Sequence, residues 1–65
     1  MSGLTEITEA SMVAAHQAGM AYWNRNKPYD ATPENIKMLA RTLGYRDADN
    51  ESFCAGFYGA KKRSV

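Results

Sequence analysis

Cys54 and His16 are the residues in this sequence best suited to covalent chemistry, and each is the only one of its type. Nucleophilic catalysis needs a nucleophile, a base and a group that orients the base. A lone cysteine beside Phe53 reads instead as a small packing residue, since free cysteine behaves as a compact hydrophobe. His16 stands in an alanine-rich run, after Ala14 and Ala15 and before Gln17 and Ala18, in the middle of a helical stretch, the setting of a half-buried packing histidine. A single cysteine excludes an intramolecular disulfide, and a single histidine excludes a Cys/His zinc site. Asp47, Asp49 and Glu51 have the alternating spacing that opens a calcium loop. Position 52 is Ser, however, and no glycine follows at the turn such a loop requires. Capping of a helix explains these acids more economically. Neither a phosphate-binding loop nor a dinucleotide fingerprint occurs. The residue types therefore predict no enzyme, no cofactor, no metal and no small-molecule substrate.

Binding is the remaining chemistry, and one segment has the composition for it. Tyr22-Trp23-Asn24-Arg25-Asn26-Lys27-Pro28-Tyr29 mixes aromatic, basic and amide groups. Aromatic faces stack on unpaired bases, and Arg and Lys neutralise phosphates, which suits RNA. Trp, Tyr and Arg also dominate protein interfaces. The same residues serve a purely structural role if Trp23 and Tyr29 plug the end of a thin core. The tail Lys61-Lys62-Arg63 offers further phosphate contacts. A helix-turn-helix reading fails on charge, because Asp47, Asp49 and Glu51 open the helix that would have to enter a groove lined by phosphates.

Three helices must position these groups. The first is expected over 6–24, capped by Thr5 or Thr8, with Glu6 and Glu9 favourable at its N-terminus. Pro28 pushes Lys27 out of helical geometry and ends it. One stripe carries Ile7, Ala10, Ala14, Ala18 and Ala21, and its alanines suit close approach of another helix. Met12, His16, Gly19, Met20 and Trp23 mark the neighbouring stripe. The second helix is expected over 33–43. Thr32-Pro33-Glu34 reads as cap, N1 proline and acidic first turn, and Ile36, Leu39, Ala40 and Leu43 form one apolar face. Gly44 supplies the left-handed residue that stops it. The third is expected over 50–62, capped by Asp47 or Asp49, with Phe53, Phe57 and Ala60 inward. Gly56 and Gly59 weaken a helix and so suggest close approach to a neighbour, with Gly19 as counterpart. No period-two alternation or hairpin turn predicts a sheet.

The whole is expected to be one all-α domain over 1–65, with a short flexible N-terminal end at 1–5 and a basic C-terminal end at 61–65. At 65 residues a chain buries only about 60% of its unfolded surface, so the core is thin and self-association as a homodimer would supply a staple. The apolar fraction of 45% and charged fraction of 23% are those of a globular domain, and the net charge of +1 singles out no partner. Without an apolar N-terminal run or a span of about 20 apolar residues, the expected setting is soluble and cytoplasmic, with no membrane partner. A lone thiol fits a reducing compartment.

Ala15-His16-Gln17-x-Gly19-x-Ala21, then Lys27-Pro28-Tyr29, then Phe53-x-x-Gly56-Phe57-x-x-Ala60 resembles the layout of ribosome modulation factor and its small bacterial and phage relatives. The resemblance implies ribosome or ribosomal-RNA binding. The surface would be Tyr22, Trp23, Arg25, Lys27 and Tyr29 with Lys61, Lys62 and Arg63. The alternative expectation is a protein-binding module, such as a phage or mobile-element product that docks on a host protein and modulates it. Its face would be Met12, His16, Met20 and Trp23, since methionine-rich faces adapt to partners.

Overall fold

The computed structural model describes residues 7–29 and 31–64, which form three helices: α1 (Glu9–Asn26), α2 (Pro33–Thr42) and α3 (Ala48–Ser64). No strand occurs among the described residues, and the chain is the small all-α three-helix domain that its periodicity predicts. Thr8 caps α1 through a capping box: the Ser11 amide donates to Thr8 Oγ1 at 3.1 Å, and the Thr8 amide to Ser11 Oγ at 2.8 Å. Thr32 caps α2, accepting from the Asn35 amide at 3.3 Å, with Pro33 in the first turn. Gly44 closes α2 with φ of 102°, a conformation that glycine adopts without a steric penalty.

α1 and α3 run parallel. Ser11, in the first turn of α1, bonds Asp49 in the first turn of α3 at 2.9 Å. Further along, Gly56 lies against the His16 carbonyl and Gly19 against the Phe53 carbonyl, and Trp23 packs edge-on to Phe57 at 5.6 Å. The contacts thus advance along both helices together. α2 connects them in the chain. It packs on α3, while the backbones of α1 and α2 stay apart. Asn50 ties α3 to α2 by donating to the Lys37 and Tyr45 carbonyls at 3.0 and 3.2 Å. α3 is therefore the central element, flanked by α1 and α2.

Small residues make the parallel crossing possible. Ala15 and Gly19 on α1 face Gly56 and Ala60 on α3, and all four are buried. A Cβ at Gly19 would collide with the Phe53 carbonyl oxygen and lie 2.8 Å from the Phe57 nitrogen. One at Gly56 would collide with the His16 carbonyl oxygen. The two glycines thus sit reciprocally over each other's helix. Beside the crossing lies the core of Ala15, Trp23, Ile36, Ala40, Phe53, Phe57 and Ala60. Full burial of Phe53, Phe57 and Ile36 contributes about 1.5–3 kcal/mol each.

Several expectations are corrected. α1 begins at Glu9 and not near residue 6, and it continues to Asn26, whose side-chain amide donates to the Tyr22 carbonyl at 3.0 Å. Thr5 and Glu6 lie outside the described residues, as do residues 1–5, expected to be flexible. The stripe of Ile7, Ala10, Ala14, Ala18 and Ala21 does not receive a helix; only Ala18 is half-buried and the rest are exposed. The crossing uses Ala15 and Gly19, because only glycine admits a carbonyl at its Cα. A Cβ at Gly59 would meet nothing within 4 Å, so this glycine marks no close approach. Leu43 follows the last turn of α2 as its C-cap and is 51% exposed, so it does not complete the buried apolar face. α3 starts two residues early, and neither acid caps it in the expected way. Asp47 adopts φ of 54°, outside the extended geometry of a cap, and Asp49 lies inside the helix and accepts from Ser11. Lys61, Lys62 and Arg63 lie in the last turn of α3, where cations complement the helix dipole.

Candidate binding surface

The parallel register decides where the charges fall. α1 and α3 both begin at one pole of the molecule and both end at the other. The register that sets Gly19 against Gly56 sets Arg25 level with Lys62, the same distance further along each helix. Arg25 in the last turn of α1, Lys27 as its C-cap, and Lys61, Lys62 and Arg63 from α3 therefore share one pole. Arg25, Lys27, Lys62 and Arg63 are exposed, and Lys61 is half-buried. Glu9, Asp49 and Glu51 share the opposite pole, in the first turns of the same two helices. Between the poles, neither helix carries an acid, a lysine or an arginine.

The aromatic residues of the candidate surface hold the basic pole together from within. Trp23 is 6% exposed and belongs to the core. Its ring is enclosed against Phe57 and presents no open face for stacking on a base. Tyr22 and Tyr29 are half-buried. Their rings meet edge-on at 5.5 Å, and Tyr29 also meets Phe57 edge-on at 5.8 Å. Burial raises the Tyr22 phenol above its ordinary pKa, and the neighbouring Tyr29 adds to the effect. Tyr45 stacks on Phe53 at 5.2 Å, extending the aromatic row toward the acidic pole.

Met12, His16 and Met20 lie half-buried along one flank of α1, and Val13 beside them is 51% exposed. This flank is distinct from the one that carries Ser11, Ala18 and Tyr22 toward the core. Cys54 lies half-buried on the α2 side of α3, away from that flank, with its Sγ 3.7 Å from Asn50 Oδ1. Burial raises its thiol pKa, Lys37 opposes the shift, and Glu51 adds to it. Tyr58, one turn on, has an enclosed hydroxyl with no hydrogen-bond partner; burial raises its pKa, and so does nearby Cys54. Among the described residues no group of three or more His, Cys, Asp or Glu is arranged to hold a metal ion. No helix among them is long and apolar enough to cross a membrane. Comparison with known proteins found no matching family model, curated protein or solved structure.

Sequence reasoning grouped the two basic segments on one surface through the resemblance alone, and it missed the parallel pairing of α1 and α3, because nothing local in the sequence sets the direction of one helix against another. A signal is present nonetheless. Both long helices start with acids and end with cations, so a parallel pair produces two opposite poles.

Proposed function

We propose that this chain is a non-catalytic binding protein that engages a polyanionic partner, with ribosomal or other RNA as the specific reading, through the pole where α1 and α3 end. The observation that carries it is the convergence of Arg25, Lys27, Lys61, Lys62 and Arg63 from two separate segments onto one end. Such a cluster attracts phosphates and releases their counterions. The resemblance to ribosome modulation factor adds support from an independent direction. With Trp23 enclosed, electrostatic contact outweighs base stacking in this reading, and Tyr22 and Tyr29 contribute through their exposed edges.

Titration of the purified protein against ribosomal RNA over a salt series tests the reading. Saturable binding at low salt is expected. With all five cations engaged on a single strand, the slope of log affinity against log salt is no steeper than about −3.5, at roughly 0.7 per phosphate. Absence of saturable binding at low salt removes the RNA reading. The second reading, docking on a protein through the flank of Met12, His16, Met20 and Trp23, draws on the exposure of Val13 within it. A complex formed that way survives nuclease and responds little to salt.

A further inference from the structure

The flank of α1 at the edge of the core, where Trp23 is buried and Met20 packs against it, has a pattern of its own. Glu9, Val13, His16, Met20, Trp23 and Lys27 follow one another at alternating spacings of four and three residues, the repeat of a coiled-coil seam. Glu9 and Lys27 are separated by about five helical turns, so they lie on the same side of α1 at its opposite ends. Both are exposed, and neither has an ion pair among the described residues. Val13 is exposed, His16 and Met20 are half-buried, and Trp23 forms the floor toward α3. α2 packs on α3 and leaves this flank open.

We propose that this seam is the interface of an antiparallel homodimer, with α1 packed against α1 of a second copy. Charge complementarity selects that occupant. A seam that is acidic at one end, uncharged in the middle and basic at the other matches itself when reversed. A two-fold axis between His16 and Met20 brings Glu9 opposite Lys27 of the second copy, Val13 opposite its Trp23, and His16 opposite its Met20. A parallel pairing would set Glu9 against Glu9 and Lys27 against Lys27. A single helix pair buries less than the roughly 1,600 Å² of a standard interface, so the dimer belongs to the weak class and forms at micromolar or higher concentration. The contact uses Lys27 but leaves Arg25, Lys62 and Arg63 open, and it stands independently of RNA binding.

Sedimentation equilibrium of the nucleic-acid-free protein, from about 1 μM to 1 mM in low salt, reads the dimer directly. Val13→Glu is expected to raise its dissociation constant at least tenfold while the far-UV circular dichroism stays unchanged, since Val13 is exposed in the monomer. Glu9→Lys and Lys27→Glu are each expected to weaken the dimer, and the double variant to restore it. A monomer throughout the concentration range overturns the proposal. So does a dimer indifferent to Val13→Glu, or a charge-reversed double variant no tighter than either single one.

Discussion

Among single residues, the three glycines of the long helices separate by what surrounds them. Gly19 and Gly56 are each pressed against a carbonyl of the other helix, and Gly59 meets nothing. Gly56→Leu must drive the helices apart, at a cost of about 1–3 kcal/mol or more through overpacking. Gly59→Ala keeps the space and gains helix propensity, about 0.5–1 kcal/mol in the stabilising direction. Thermal melts of the two variants should move in opposite directions, and a shared direction would mean that the crossing lies elsewhere. The pairing of Gly19 with Gly56 is legible because glycine within a helix is costly unless its lack of a side chain is used. Gly59 bears the same signature and has no such use, which sequence alone does not distinguish. Cys54 is legible as a packing thiol, although it sits at the rim of the core and not inside it. Burial raises its pKa, so less thiolate is present at pH 8 than for a free cysteine. Alkylation of the native protein should therefore be slower than in denaturant, and equal rates would contradict the placement.

For the helices themselves, legibility depends on whether the signal is local. α2 is legible almost to the residue because Thr32, Pro33 and Gly44 are local start and stop signals and its apolar face is distinct. α1 and α3 are legible with shifted ends, since Thr5 and Thr8 compete as caps and Asp47 and Asp49 resemble caps without serving as such. The physical reason is tertiary. Asp49 is taken by Ser11 across the helix pair, and the hydroxyl has one proton, which the carboxylate accepts more strongly than the Thr8 carbonyl 2.8 Å away. Ser11 thereby acts twice, as the reciprocal partner in the α1 capping box and as the pin that fixes the α1–α3 register. Nothing in the sequence around Ser11 announces the second role. A double-mutant cycle on Ser11→Ala and Asp49→Ala should give a coupling of about 1 kcal/mol, the worth of one part-buried hydrogen bond. Thr8→Ala removes only the cap, at about 1 kcal/mol, and should leave that coupling intact. Additive effects of Ser11→Ala and Asp49→Ala on chemical denaturation would rule out the pin.

Across the whole molecule, the parallel pairing has a cost and a consequence. Two helices with the same direction set their dipoles side by side, so like partial charges gather at each pole. The acids at one end and the cations at the other offset that repulsion. The basic pole thus has two candidate causes, stability of the fold and attraction of a polyanion, and they separate residue by residue. Lys62 and Arg63 lie within the last turn of α3, where a cation interacts with the helix terminus by about 0.3–1 kcal/mol at low salt. Lys27 lies beyond the last turn of α1 as its C-cap, with extended backbone and an exposed side chain. Lys62→Gln and Arg63→Gln should therefore lower both thermal stability and RNA affinity, each loss shrinking as salt is added. Lys27→Gln should leave the thermal midpoint nearly unchanged and still reduce the salt slope of RNA binding by about 0.7, the share of one phosphate on a single strand. If Lys27→Gln alters neither slope nor affinity while Lys62→Gln alters stability alone, the cations serve the helix pair and the polyanion reading fails. If the slope falls by the same step for each of the three variants, the pole acts as one surface assembled from two segments that only the fold brings together.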